Sequence, residues 1–301
     1  MVGDPLSLDA FLARRGADRR LARLTHDLPL PEAVGLEFGP GDRPTALPEG
    51  VRVAYVDRNP DANAGLPGAP PIDHAWTGAG SLAAALGDRQ APKGFDFAIA
   101  AGVAQFVPNL LGWLRGIHAV LRPGGVFNLS LPDRRFMRDV GRSRSTTAEL
   151  VEADLLGLTR PNPRQRFAHL FESRIVSTDG IWAGETTATA PRMAGPEALA
   201  EAYARTRDAL LSDADEPCHC WVFTPRVFLD LVADATRLGR FPYVLNNVSS
   251  TEPGKSEFFV SMRRDVQEEP DALRGLQEAA LGHLRGVLDR QARNAAQIAR
   301  P

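Results

Sequence analysis

The sequence predicts an α/β protein, a mostly parallel sheet flanked by helices and interrupted by a helical insertion. Three observations lead there. Short apolar runs, split by Gly, Pro and Asp, recur through the first half, the pattern of strands buried on both faces. A helical stripe separates the fourth run from the fifth, which is how parallel strands are joined. Over 301 residues, 44% hydrophobic and 24% charged content suffices for a substantial core and is too apolar for disorder.

The elements follow in order. Residues 7–24 carry Leu8, Phe11, Leu12, Leu21 and Leu24 near helical spacing with charges between them, predicting one or two amphipathic helices. The candidate strands are AVGLEFG (33–39), VRVAYVD (51–57), IDHAW (72–76), FDFAIAAG (95–102) and VFNLSLP (126–132). Between the last two, Leu110, Leu111, Leu114, Ile117, Val120 and Leu121 share one helical face, with Gly124–Gly125 as the expected stop. The rhythm breaks near Pro132. Residues 133–220 are rich in Arg, Glu and Ala, and helices are expected near 146–158 and 195–212. Residues 224–239 then read as a helix with Thr224 as N-cap, Pro225 at the first position and Gly239 at the stop. Two strands, 241–250 and 256–265, are parted by the turn TEPGK, and a closing helix runs from Pro270 to Ile298. The expected division is 1–30, an N-terminal helical segment; 31–132, the α/β core; 133–220, an insertion over the sheet's ligand edge; 221–266, the rest of the core; and 267–301, the C-terminal helix. The stripe Leu273, Leu276, Ala280, Leu284, Val287 and Leu288 on that helix is expected to pack internally, and the helix is also the candidate surface for an oligomer.

Charge and cysteine content exclude several classes. A net charge of −2, from 35 basic and 37 acidic residues, gives no general attraction to nucleic acid or anionic lipid. No apolar run approaches the ~18 residues of a membrane span, and the charged N-terminus does not read as a secretory signal. With only Cys218 and Cys220, too close together to staple a fold, a cytoplasmic protein is expected.

The sharpest local feature is GLEFGPGDRP (35–44), a strand running into a glycine turn. Gly39 and Gly41 allow positive φ and a close backbone approach to a ligand, at the end of the sheet where open α/β sheets bind them. Eighteen residues after Gly39, Asp57 ends the second strand, where a carboxylate can accept both hydroxyls of a ribose. Pro44 occupies the place of the third glycine of a dinucleotide fingerprint, and DRPTALPEG is a poor helix start. The turn therefore suits a nucleoside without a diphosphate better than a dinucleotide.

In order and spacing, AVGLEFGPGDRP, VRVAYVDR, FDFAIAAGVAQFVPN and GIHAVLRPGGVFNLSLPDRR resemble the class I, Rossmann-like S-adenosylmethionine-dependent methyltransferases. Later segments, including PDRRFMRDVGR and HCWVFTPRVFLDLV, resemble a bacterial subgroup associated with glycan or secondary-metabolite clusters. The resemblance implies a seven-stranded sheet whose last strand is antiparallel, with S-adenosylmethionine as cofactor. Carried over by position, Glu37, Gly39 and Gly41 would form the methionine-side turn and Asp57 would hold the ribose diol. Thr77 and Gly78 would lie near the adenine, and Ala101 and Gly102 would line the floor near the sulfonium. The implied reaction is methyl transfer to a hydroxyl or amine of a small polar metabolite or glycan. The alternative is a catalytically inactive, methyltransferase-like binding or scaffold protein. It is motivated by AGVAQF (101–106), where the subgroup carries histidines and an acid. A third reading, a nicotinamide-dependent reductase, is disfavoured by Pro44 and the final hairpin.

A hydroxyl or amine acceptor benefits from a general base, most often histidine. His26, His118 and His283 read as structural or exposed, and His74 as a satisfied core residue. His169 and His219, both in the expected cover, remain the candidate catalytic residues, with Glu172 one helical step from His169 as an orienting partner. Cys218-His219-Cys220 lacks the second pair a structural zinc needs, so packed thiols and no metal are expected. The arginines of the cover, Arg134, Arg135, Arg138, Arg142, Arg144, Arg160, Arg164 and Arg166, form either a solvated face or a grip on an anionic acceptor.

Overall fold

The structure, a computed structural model, describes residues 6–212 and 216–298. The outermost residues of the predicted first and last segments, and residues 213–215 of the insertion, lie outside this description.

Seven strands form one sheet: β1 (Val34–Phe38), β2 (Arg52–Asp57), β3 (His74–Ala75), β4 (Phe95–Ala101), β5 (Leu121–Pro132), β6 (Val244–Ser249) and β7 (Glu257–Arg263). Their spatial order is β3-β2-β1-β4-β5-β7-β6. The first five are parallel, and β7 runs antiparallel between β5 and β6. This is the mostly parallel sheet with a terminal hairpin that the resemblance implied.

Side-chain alternation gives the sheet two unlike faces. On β5, Phe127, Leu129 and Leu131 enter the main core, while Asn128 and Ser130 are buried on the other side. Strand β7 repeats this, with Phe258, Val260 and Met262 in the main core and Phe259 and Ser261 opposite. The main core is roofed by α3 (Leu82–Leu86), α4 (Leu110–Val120), α9 (Pro225–Arg237) and α10 (Pro270–Ile298). Both halves of α9's predicted start are present, since Thr224 accepts from Val227 N and Pro225 sits at the first helical position. Among the described residues, the opposite face carries only α1 (Leu8–Ala17), α2 (Arg19–Leu24) and a small cluster around Leu24, Phe97 and Ile99. No helix lies between β1 and β2 or between β2 and β3, as DRPTALPEG foretold for the first of these connections.

Several boundaries differ from the sequence reading. The helix before β5 ends at Val120, and Leu121 already belongs to the strand. Gly124 and Gly125 are not its stop but a backbone crossing, for a β-carbon on Gly125 would lie 2.8 Å from Arg122 O and 3.0 Å from Phe95 O. On α10 the internal face turns slightly. Leu276 is exposed, while Gln277 is buried and donates to Phe241 O and Tyr243 O at 2.8 and 3.0 Å. His74 is no satisfied core residue: it is half-buried on β3 and its Nε2 has no partner.

Within residues 133–220 lie α5 (Thr147–Leu155), α6 (Pro163–Glu172), α7 (Thr178–Trp182) and α8 (Ala198–Leu211). Capping boxes start both α5 and α6, Thr146 with Glu149 and Asn162 with Gln165. The segment is tied to the carboxyl ends of the strands. Cys220 N donates to Gln105 O at 2.7 Å, and Trp221 Nε1 to Val107 O at 2.6 Å. Trp182 Nε1 donates to Lys255 O at 2.8 Å.

Candidate active site

The carboxyl ends of β1, β2, β3 and β4 converge on a cavity of about 350 Å3, a size suited to a small molecule. Gly39 and Asp57 form its polar lip. Gly39 has φ of +59°, and its N–H donates to Val56 O at 2.9 Å, drawing the turn against β2. A β-carbon at Gly39 would sit 2.7 Å from Val103 Cγ2 and 3.7 Å from Asp57 Oδ2, so a side chain there would fill the space between turn and carboxylate. Asp57 Oδ1 accepts from Asn59 N at 3.0 Å, which holds the carboxylate at the strand tip.

The opposite wall is apolar. Trp76, Thr77 and Gly78 leave β3, and Val107, Pro108 and Trp113 line the cavity beside them. Trp76 Nε1 donates to Ala79 O at 2.9 Å, and a β-carbon on Gly78 would meet Trp113 Cδ1 at 3.1 Å. Thr77 and Gly78 thus border an aromatic slot. Of the sequence-predicted site residues, Gly39, Asp57, Thr77, Gly78 and Gly102 line this cavity together.

Glu37, Gly41 and Ala101 open instead onto a wider crevice of about 1250 Å3 on the thinly covered face, which Gly39 also borders. Glu37 is buried, and its carboxylate accepts from Thr45 N at 2.9 Å and Thr45 Oγ1 at 2.8 Å. Burial pushes its pKa up, against the pull of the two Thr45 bonds. Glu37 therefore folds the glycine turn back onto the strand.

A third cavity, about 320 Å3, lies over the ends of β4, β5 and β7. Gln105, Ser130, Thr178, Lys255 and Glu257 line it, and Gly102 borders both this space and the 350 Å3 cavity. Gly102 N donates to Ser130 O at 3.1 Å, which ties the end of β4 to β5.

His169 and His219 come together but line none of these three cavities. Their rings are 5.4 Å apart, and His219 packs edge-on against Phe106, which itself walls the 350 Å3 cavity. The partner of His219 is Asp139, at 2.6 Å from Nδ1, and Arg142 Nη1 donates to the same carboxylate's other oxygen at 2.8 Å. Burial raises the Asp139 carboxyl, but its hydrogen bonds and electrostatic interactions with His219 and Arg142 outweigh it and bring its pKa to about 2. Burial together with the charge of Arg142 lowers His169 to about 3. Sequence spacing pointed to Glu172 as the orienting acid of His169; the fold instead gives His219 an acid, Asp139, 80 residues before it, and His169 Nδ1 accepts from His219 N at 3.4 Å.

The cover arginines are largely structural ties. Arg135 pairs with Asp133, Arg142 with Asp139, and Arg164 with Glu149 and Glu152. None of the eight lines the 350 or 320 Å3 cavity. Cys218 and Cys220 are buried thiols not joined in a disulfide, with sulfurs 4.0 Å apart, and burial pushes the Cys220 thiol well up. The residues that sequence patterning missed are Val103, Gln105, Trp113, Ser130, Lys255 and Glu257. Each belongs to the site only through folding, and only the turn-rich TEPGK marked its neighbourhood.

The sheet order, the reversed seventh strand and a ligand cavity at the ends of β1 to β4 define a class I, Rossmann-like methyltransferase fold. Residues 12–235 match the family model described as a methyltransferase domain, and the chain belongs to that family. As such it is an S-adenosylmethionine-dependent methyltransferase, and S-adenosylmethionine is its cofactor. No curated protein matches the sequence. Similar solved structures include an S-adenosylmethionine-dependent methyltransferase from Mesorhizobium loti (16% identity, 82% of this chain and 96% of that chain, TM-score 0.41). Another is a methyltransferase of the same kind from Methanosarcina mazei (14%, 80% and 97%, TM-score 0.41). A third, from Rhodobacter sphaeroides and provisionally assigned as a zinc-dependent alcohol dehydrogenase, is also similar (14%, 83% and 90%, TM-score 0.47). Identities this low carry no functional detail to this chain. Among the described residues, no group of three His, Cys, Asp or Glu could hold a metal ion, and no helix is long and apolar enough to cross a membrane.

The residues of the 350 Å3 cavity fit the cofactor. Asp57 offers carboxylate oxygen beside a turn whose missing β-carbon leaves room for a ligand, and Trp76, Val107 and Trp113 offer an apolar slot.

Proposed function

We propose that the protein transfers a methyl group to a hydroxyl or amine of a small polar metabolite or glycan seated in the 320 Å3 cavity. The observation that carries this reading is Gly102. It borders both that cavity and the cofactor-sized one, so two ligands can meet there with only a glycine between their spaces.

When bound, S-adenosylmethionine supplies a methyl group on positively charged sulfur, which keeps the electron pair of the broken bond. In this reading Asp57 accepts the ribose hydroxyls, and Thr77 and Gly78 border the adenine. Glu37, Gly39 and Gly41 shape the methionine-side turn, and Ala101 and Gly102 form the floor. Orientation supplies much of the acceleration, because holding both partners in line removes the entropy of their encounter. The acceptor oxygen or nitrogen forms the new bond to carbon and sheds one proton. Glu257 is the carboxylate that lines the acceptor cavity, and we assign it that proton. His169 and His219 act by position, since Phe106 stands between His219 and the cofactor-sized cavity.

The test is direct. Titration with S-adenosylhomocysteine is expected to show one site per chain. A panel of small hydroxyl and amine compounds is expected to yield labelled product from methyl-tritiated donor. A folded protein that binds no S-adenosylhomocysteine at millimolar concentration would remove the proposal.

A further inference from the structure

Two residues that line the 320 Å3 cavity each bury a polar side-chain atom with no partner among the described residues. Gln105 is 5% exposed and Ser130 1%. Gln105 Nε2 donates to Gly102 O at 2.7 Å, and this bond fixes which end of the amide is oxygen, because a flipped amide would set two acceptors against each other. Oε1 is left without a hydrogen bond, as is Ser130 Oγ. Buried polar atoms are nearly always satisfied, and here both orphans belong to residues that line the same space beside Gly102. An amide oxygen can only accept, so its missing partner is an O–H or N–H donor on the occupant.

The charges of this cavity are unequal. Glu257 Oε1 accepts from Arg20 Nε at 2.9 Å, which offsets that carboxylate. Among the described residues, the Lys255 ammonium has no carboxylate within ion-pair distance, and no other cation lines the space. Lys255 is exposed at the turn before β7, and its backbone is held by Trp182 Nε1 and by its own N–H to Glu252 O. An ammonium acceptor would face this charge with a neutral amide, a hydroxyl and a carboxylate already paired with Arg20 to offset it.

We propose that the methyl acceptor is a small hydroxyl compound carrying an anionic group. Its hydroxyl donates to Gln105 Oε1 beside Gly102, Ser130 Oγ completes the hydrogen bonding, and the anion pairs with Lys255. This rests on the reading of the 320 Å3 cavity as the acceptor site. It replaces the cover arginines with one lysine as the source of anion selectivity. Gln105 cannot take a proton, so it holds the hydroxyl before reaction; as the oxygen bonds to the methyl carbon, its proton turns from Gln105 Oε1 to the Glu257 carboxylate, which lines the same space.

The experiment is equilibrium titration of the full-length protein, saturated with S-adenosylhomocysteine, against aliphatic and aromatic hydroxy acids and their neutral amides. The acids are expected to bind at least ~10-fold tighter than the amides, as a charge-assisted contact would give. Lys255→Ala should abolish that preference, and Gln105→Leu should weaken acids and amides alike. S-adenosylhomocysteine affinity within threefold of wild type checks that each variant is folded. Equal affinity for acids and amides, a preference that survives Lys255→Ala, or no acid binding to the saturated protein would overturn the proposal. Failure of S-adenosylhomocysteine itself to bind would instead overturn the reading of the neighbouring cavity.

Discussion

The two faces of the sheet are built from the same strands and do different work. One is packed by α3, α4, α9 and α10 on an apolar layer that includes Phe127, Phe228, Phe258 and Tyr243. The other is covered by two short helices and by loops, and its strands bury Asn128, Ser130 and Ser261. Helices are missing where β1 and β2 lead onward, and there the chain opens into the wide crevice under the glycine turn. Stability is thus concentrated on one side, leaving the strand ends and the thin face free to be shaped for ligands. Substitutions should separate the two roles.

The largest expected effect is on the packed face. Phe127→Ala, at a side chain with no exposure, should cost about 3–5 kcal/mol in denaturant unfolding. A cost under ~1 kcal/mol, the range of isosteric core changes, would mean that the asymmetry in packing is not one in stability. Asp57→Ala should leave unfolding nearly unchanged and weaken S-adenosylhomocysteine binding roughly 10- to 100-fold, the value of charged hydrogen bonds of about 1.5–3 kcal/mol. The glycines sharpen the contrast further. Gly39→Ala should lower stability by more than the ~1–2 kcal/mol of a left-handed alanine, because its β-carbon also strikes Val103. Gly41 has φ of +54° with nothing within 4 Å of a β-carbon, so Gly41→Ala should show the conformational cost alone. Comparing the two by thermal unfolding isolates the contact.

The smallest effect concerns pH. His118 packs edge-on against Tyr243, with ring centroids 5.0 Å apart, and burial, with Arg264 nearby, lowers its pKa from 6.5 to about 4. The unfolded chain therefore binds more protons between these values, and stability should fall as pH drops from 6.5 toward 4. His169, lowered to about 3, extends the same trend. Asp139 acts lower still, since its stabilisation is present above 3.8 and lost as pH falls toward 2. His118→Phe keeps the ring contact and should flatten the acid limb of a melting-temperature profile. An unchanged limb would assign the loss to other groups.

Much of this architecture was legible in the sequence because its signals are local. Periodicity placed β1, β2, β4, α4, α9 and α10 to within a few residues, found β5 without its first residues from Leu121, and DRPTALPEG announced a missing helix. The third strand shrank to two residues, since IDHAW offers little more than one turn of alternation. The helix stop was misplaced because Gly124–Gly125 resembles a cap but serves close contact between backbones. In the site, Gly39 and Asp57 were visible because a turn and a strand tip are sequence features. Gln105 and Ser130 were not, since what marks them is an absent partner, which only folding can reveal. Asp139 was hidden for a related reason, as the approach of a residue 80 positions away leaves no trace in spacing.

Calorimetric titration of S-adenosylhomocysteine into the wild-type chain and Asp57→Ala, both shown folded by the same thermal transition, probes the cup between Gly39 and Asp57 most closely. Saturable binding to the wild type at one site per chain, weakened at least ~10-fold by removal of the carboxylate, is the predicted result. Equal affinity in the two proteins would contradict it.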